Sequence, residues 1–134
     1  MPESDTHQDL VRALRTWVLT NHLKGDSGML FADEPTAHTE RRPPLIGGYV
    51  PDLYAVTREQ RVVVGEAKTL YDLETDHSRA QLTAFLAFCS NTPGSLLVLA
   101  VPWHVCRRAR NMLRTYQQRL LTSAGTVVLE QLTG

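Results

Sequence analysis

The stretch GGYVPDLYAVTREQRVVVGEAK, residues 47–68, decides the fold of this chain. Two short segments rich in Val, Leu, Ala and Tyr, at 52–57 and 61–68, flank the polar triplet 58–60. This pattern predicts a β-hairpin with a loop of about three residues. With residue 59 at the centre of the turn, opposed residues lie equally far from it along the chain, so Asp52 is expected opposite Glu66.

Three charged side chains are expected to converge at the open end of this hairpin. Side chains alternate between the two faces of a strand, so Glu66 and Lys68 share one face. Asp52, opposite Glu66, joins them there. Charges in strands this apolar are costly unless they have a partner. The sequence therefore predicts a divalent cation at this end, and the alternative is a partly buried ion-pair cluster.

The composition predicts one globular domain, residues 1–134, that is large enough for a hydrophobic core. The chain is 43% hydrophobic and 21% charged, which is typical of folded proteins rather than disordered ones. Its formal net charge is zero. That balance argues against a surface coated with basic residues for binding nucleic acid, although local patches matter more than the total.

Three features of the sequence predict where in the cell the protein is located. The start, MPESDTHQDL, is too polar and acidic for a signal peptide. The longest strongly apolar run, 96–101, is far too short to span a membrane. Cys89 and Cys106 have no CxxC spacing and predict reduced core thiols in a cytoplasmic protein. With His104 they lack the number and spacing of zinc ligands.

Apolar residues with helical spacing predict three helices, at 5–24, 76–90 and 103–122. In the second of these we expect Gln81, Ala84, Phe85 and Phe88 to share one face. A polar connection is expected at 72–76.

Short apolar runs at 28–32, 95–101 and 126–132 predict three strands besides the hairpin, and 33–48 reads as a long loop. The first three strands would form a meander, and the second helix would cross over to place the fourth strand in parallel in the same sheet. The expected fold is α/β, a mixed sheet with helices on both sides.

Pro51-Asp52, followed after thirteen residues by Glu66-Ala67-Lys68, resembles the motif of the PD-(D/E)XK nuclease superfamily. This superfamily includes type II restriction enzymes, archaeal Holliday-junction resolvases and recombination exonucleases. The resemblance implies a restriction-endonuclease-like αβββαβ core over about residues 5–101, to which a C-terminal helix and strand are added.

Gln81 is similar to the Gln of a Gln-x-x-x-Tyr motif in some branches, although Phe85 stands in place of the Tyr. The resemblance therefore adds Gln81 to the catalytic candidates Asp52, Glu66 and Lys68. Some branches also place a Glu near the metals from the first helix, where this chain offers only Asp9.

The chemistry of phosphodiester hydrolysis suits these residue types. A hard cation activates water and neutralises charge on the phosphate, and Mg²⁺ prefers a few oxygen ligands plus water. Asp52 and Glu66 would hold Mg²⁺, with Mn²⁺ as a substitute and the backbone carbonyl of Ala67 as a third ligand. Lys68 would orient or deprotonate the attacking water, or stabilise charge in the transition state. Without a metal, at least one of the two facing carboxylates should have a raised pKa.

Five arginines lie off the apolar stripe of the third predicted helix: Arg107, Arg108, Arg110, Arg114 and Arg119. They form either a surface that contacts phosphates or an ordinary solvated basic face. Candidate DNA-binding residues are Arg41, Arg42, Tyr49, His77, Arg107, Arg110 and Arg114.

The sequence predicts a small Mg²⁺-dependent deoxyribonuclease, a DNA endonuclease for which branched or otherwise structured DNA is a candidate substrate. A chain this short would act as a homodimer or as a module directed by a partner, with no membrane association. The main alternative is a catalytically inactive protein of the nuclease fold that serves as a DNA-binding or assembly subunit. A small-molecule-binding α/β protein is disfavoured, because the chain lacks a GxGxxG or GxxxxGK phosphate loop.

Overall fold

A computed structural model describes residues 5–24, 29–33, 42–122 and 125–131. In chain order the elements are α1 (Asp5–Asn21), β1 (Leu30–Ala32), β2 (Leu53–Val56), β3 (Val62–Ala67), α2 (Leu70–Leu73), α3 (Asp76–Ser90), β4 (Leu96–Pro102), α4 (Cys106–Leu120) and β5 (Gly125–Gln131). The fold is α/β, with a five-stranded mixed sheet flanked by helices.

The strands lie in the order β1-β2-β3-β4-β5. The first three form an antiparallel meander, and β4 and β5 continue the sheet in parallel. Val56 pairs with Val62 and Leu53 with Gly65, which confirms the predicted hairpin register. Gln60, at φ 65°, closes a three-residue loop in which the N–H of Thr57 donates to the carbonyl of Arg61 at 2.9 Å.

The alternation of side chains along the strands divides the core between the two faces of the sheet. Helix α1 covers one face with Leu10, Leu14 and Val18. Helices α3 and α4 cover the other, where the largest buried side chains include Phe85, Leu86, Leu97, Leu99 and Leu113. Strand β4 is buried from Leu97 to Val101, as its continuous apolar sequence predicted.

The polar connection predicted at 72–76 is wrong at its start, because only residues 74 and 75 connect two helices. Residues 70–73 form the short helix α2, in which the Thr69 hydroxyl caps the first turn and Leu73 is completely buried. The predicted face of α3 is also displaced. Its buried side chains are Ser78, Leu82, Phe85, Leu86 and Cys89, whereas Gln81, Ala84 and Phe88 are only partly buried. The reason is that α3 packs against both the sheet and α4, so these two neighbours together determine which of its side chains are buried.

The ends of the other elements differ from prediction by a few residues. Helix α1 ends at Asn21, and a 3₁₀ turn at Trp103–Val105 precedes α4. The start of the predicted strand 28–32, residues 34–41 of the predicted loop and the final Leu132 lie outside the described residues. Residues 46–49, at the end of that loop, form a tight turn, because Gly47 and Gly48 adopt φ values of 61° and 89°.

Cys89 of α3 and Cys106 of α4 are both buried in the hydrophobic core. Among the described helices, none is long and apolar enough to cross a membrane.

Candidate functional site

The hairpin register brings the two predicted carboxylates together where β2 and β3 end. The Asp52 N–H donates to Glu66 Oε1 at 3.0 Å, and the Ala67 N–H donates to Asp52 Oδ2 at 2.8 Å. Both bonds lie beyond the last backbone-paired residues of β2 and β3, so they extend the hydrogen bonding between the two strands. Asp52 and Glu66 are buried, Glu66 with 3% of its surface exposed. The predicted convergence of these two side chains is therefore present.

Lys68 completes the cluster from the next position on the same face. Its Nζ lies 3.2 Å from Glu66 Oε2 and also donates to Gln81 Oε1. Gln81 projects from α3, which packs on this face of the sheet. All four predicted catalytic residues thus belong to one connected group, and the buried ammonium is held between a carboxylate and an amide.

His7 joins this group, although the sequence reasoning missed it. Its Nε2 lies 3.4 Å from Asp52 Oδ2. The signal was present in the sequence, because His7 precedes Leu10 and Leu14 at helical spacing and so shares the buried face of α1. Asp9, the predicted candidate from this helix, instead pairs with Arg12 at 2.7 Å on the exposed side.

Burial and like charge raise the pKa of Glu66. Desolvation is the larger cause and the nearby charge of Asp52 the next, and together they bring this pKa to about 8 although Lys68 opposes them. This agrees with the expectation that one of two facing carboxylates should have a raised pKa. In the absence of an additional cation, ionising Glu66 beside Asp52 is therefore energetically unfavourable near neutral pH.

The donor set fits a hard divalent cation that keeps part of its water shell. Within the described ranges, no three His, Cys, Asp or Glu side chains converge to enclose an ion by themselves. Mg²⁺ commonly uses only one or two carboxylates together with water and substrate phosphates. Asp52 and Glu66 supply two, and the Ala67 backbone lies directly beside them. A cation there would offset the repulsion that raises the pKa of Glu66.

The cluster lines a pocket of about 870 Å³ that opens to solvent. We call this the catalytic pocket, after the catalytic role that the sequence predicts for Asp52, Glu66 and Lys68. Its other lining residues are mostly polar: Thr6, His7, Asp33, Thr69, Tyr71, Asp72, His77 and His104, with Val50, Leu70 and Pro102. His77 contacts Tyr49 edge to face at 5.6 Å between ring centroids. Of the predicted DNA-binding residues, His77 therefore lines this pocket and Tyr49 packs against it.

The predicted basic face of α4 separates into two parts. Arg107 lines a second cavity of about 630 Å³ together with Arg79, His104, Arg108, Asn111, Met112, Thr115, Tyr116 and Arg119. We call this cavity the arginine groove. Arg110 and Arg114 are exposed on another side of α4. Arg42 is exposed, and Arg41 lies outside the described residues.

Comparison of the chain with protein-family models, with curated proteins and with solved structures gives no significant match. A functional assignment therefore depends on the side chains of the catalytic pocket and on what they can do chemically.

Proposed function

We propose that this protein is a metal-dependent DNA endonuclease with a PD-(D/E)XK, restriction-endonuclease-like core. The observation that carries the proposal is the convergence of Asp52, Glu66 and Lys68 at one end of β2 and β3, inside an open polar pocket. A protein that only needed stability gains little from such a buried cluster, since apolar residues of similar volume often stabilise as well or better.

Each residue has a role that its position supports. Asp52 and Glu66 would hold Mg²⁺ or Mn²⁺, which when bound supplies positive charge and makes a water molecule more acidic. The backbone N–H groups of Asp52 and Ala67 fix the two carboxylates in place by donating to them. The carboxylates are thereby oriented before any ligand arrives, which lowers the reorganisation that binding requires.

Lys68 is placed to act on the reacting phosphate or on the attacking water. Its side chain is buried, and Gln81 and Glu66 restrict its Nζ to one position. A fixed ammonium stabilises negative charge that develops on phosphate oxygens more effectively than a mobile one. Gln81 is thus a positioning residue for Lys68, and His7 is one for Asp52.

The substrate must bring its phosphate to a site that is recessed but accessible. The catalytic pocket is within the size range of pockets that hold nucleotide-sized ligands. Its wall carries His77, which is suited to contact a phosphate or a base, and Tyr49 packs against that ring. Each copy of this site cuts one strand, so cleavage of both strands of a branched DNA would use two copies, and we propose that the protein acts as a homodimer or under the direction of a partner.

Nuclease assays test this proposal directly. Supercoiled, linear, single-stranded and branched DNA are incubated with the protein and Mg²⁺, Mn²⁺ or EDTA. We expect cleavage that requires the metal and falls by about 100-fold or more in Asp52→Asn and in Lys68→Met. Asp9→Asn is the matched control, because it removes an exposed carboxylate from α1 and should leave cleavage unchanged.

Two results would contradict the proposal. Cleavage that persists in EDTA or in Asp52→Asn would show that the nuclease activity arises elsewhere. Binding of DNA without cleavage under any of these metals would favour the alternative, a catalytically inactive DNA-binding or assembly subunit of the same fold.

A further inference from the structure

The arginine groove runs along α4 and is strongly basic. Arg107, Asn111, Thr115 and Arg119 recur every four residues on one side of the helix, and Arg79 faces them from α3. Among the described residues that line this groove, four are arginines and none is acidic. Like charges so close together repel one another, so the groove favours an anionic ligand.

The existing partners of these arginines can be displaced at little cost. Arg108 pairs with Glu74 at 2.6 Å and Arg79 with Asp76 at 3.7 Å, and all four side chains are exposed. Exposed ion pairs contribute little, typically less than about 1 kcal/mol. Within the part of the chain that the structure describes, Arg107 has no carboxylate partner, nor does Arg119. All of these guanidinium groups can therefore turn to a ligand.

His104 lines both the arginine groove and the catalytic pocket, so the two cavities adjoin. Trp103, next to it in sequence, is 58% exposed and contacts the His104 ring at 5.6 Å. Tyr71, on the wall of the catalytic pocket, is 89% exposed. Two large exposed aromatic side chains thus lie near the catalytic pocket, Tyr71 on its wall and Trp103 beside His104, the residue that both cavities share.

We propose that the arginine groove binds the phosphates of single-stranded DNA and leads that strand past His104 into the catalytic pocket. This inference rests on the proposed nuclease function and specifies its substrate as a single-stranded segment. The distance from Arg107 to Arg119 along the helix is about 18 Å, which is long enough to contact several successive phosphates of one strand.

The exposed aromatic side chains favour an unpaired strand over a duplex. Unpaired bases present their faces to aromatic side chains, and such stacking tolerates any sequence. In a duplex each base already stacks on its neighbours, so Trp103 and Tyr71 would find no free base. A branched or gapped DNA contains unpaired segments and would be bound through them.

Fluorescence anisotropy in EDTA tests the binding without any cleavage. The probe is a fluorescein-labelled oligodeoxythymidylate of about 20 nucleotides, longer than the groove. The double variant Arg107→Ala/Arg119→Ala is compared with Arg110→Ala/Arg114→Ala, which removes the same two charges from the same helix outside the groove. We expect the groove variant to lose at least about tenfold more affinity than its control, because only it removes phosphate contacts.

Salt dependence gives a second readout that a general loss of charge would not reproduce. On single strands, each phosphate contact contributes about 0.7 to the slope of log K against log salt. We therefore expect the slope to fall by about 1.4 in the groove variant and to change much less in the control. Circular dichroism on all variants checks that each is folded.

Substitutions of Trp103 test the assignment of the strand as unpaired. Trp103→Ala should weaken binding of the oligodeoxythymidylate by about 5- to 150-fold, the range for loss of one base stack, and Trp103→Phe should restore most of it. A duplex of the same length should bind more weakly than the single strand and should be insensitive to this residue.

The outcomes separate this inference from the nuclease proposal. Equal losses in the two arginine pairs, or a duplex bound as tightly as the single strand, would overturn the inference while Mg²⁺-dependent cleavage still upheld the nuclease. Binding through the groove with no cleavage under any metal would sustain the inference as a binding site and reject the nuclease.

Discussion

The pKa of Glu66 makes the stability of the metal-free protein depend on pH in a predictable direction. Its pKa is about 8 in the folded protein against an ordinary value of 4.5. Between these values the folded state binds more protons than the unfolded state, so the free energy of unfolding falls as the pH rises. The contribution of protonated Glu66 to the free energy of unfolding is complete below pH 4.5 and is lost once the pH has passed 8.

The change Glu66→Gln should remove this dependence. A glutamine can still accept from the Asp52 N–H, as the protonated carboxyl does, but it cannot ionise. From pH 5 to pH 7, two pH units at about 1.4 kcal/mol per unit give about 3 kcal/mol. Relative to the wild type, the free energy of unfolding of the variant should therefore rise by about 3 kcal/mol between pH 5 and pH 7. This corresponds to a shift of about 10 °C in Tm for a chain of this size.

Urea or thermal unfolding in EDTA at several pH values measures the effect. Glu74→Gln is the control, since Glu74 is an exposed carboxylate that pairs with Arg108. Its curve of stability against pH should keep the fall that Glu66 causes in the wild type. Parallel curves for Glu66→Gln and wild type would refute the reasoning, because they would mean that burial and Asp52 do not raise the pKa of Glu66 in the folded protein.

Three further outcomes are expected. Mg²⁺ at about 100 times its dissociation constant should raise the unfolding free energy by about 2.7 kcal/mol in a thermal-shift assay, and Asp52→Asn should abolish this gain. Lys68→Met should reduce cleavage by about 100-fold yet keep the Mg²⁺-dependent shift, and loss of both would point to misfolding instead. Gly65→Ala should destabilise the fold by about 1–3 kcal/mol in urea titration, because its Cβ would lie 2.9 Å from the buried Leu14 Cδ2. Gly125→Ala, whose Cβ meets Leu96 only at ordinary contact distance, should be nearly neutral, and equal costs for the two glycines would contradict this packing account.

The hairpin could be predicted because local physics fixes it. Alternating apolar strands and a short polar loop leave one favourable register, since a slip by one residue would turn every buried side chain to the opposite face. Val56 pairs with Val62 as expected, and from that pair the positions of Asp52 and Glu66 follow. The apolar pattern of β4 likewise identifies a strand that is buried on both sides.

The inward face of α3 and the helix α2 depended on packing that no local pattern records. The charged neighbours of Leu73 predict a polar connection, but its side chain is completely buried in the core. The face of α3 that is buried depends on the angle at which this helix meets the sheet and α4. That angle is set by side chains distant in sequence.

The candidate site likewise combines residues placed by local strand pairing with residues placed by tertiary packing. Asp52, Glu66 and Lys68 belong to one hairpin, so their convergence follows from strand pairing alone. His7 comes from α1 and Gln81 from α3, and they reach the cluster from opposite layers of the fold. The sequence singled out Gln81 only through a family resemblance, and it did not single out His7.

The sequence by itself determined the order of the strands and of the three long helices, the register of the hairpin and the placement of three charged side chains at its open end. These depend on interactions between near neighbours, which periodicity reveals. Only the tertiary structure decided which arginines face the same cavity, because Arg79 and Arg107 lie on different helices. It also decided that His104 joins that groove to the catalytic pocket, since the meeting of two cavities depends on how layers pack rather than on any segment of the chain.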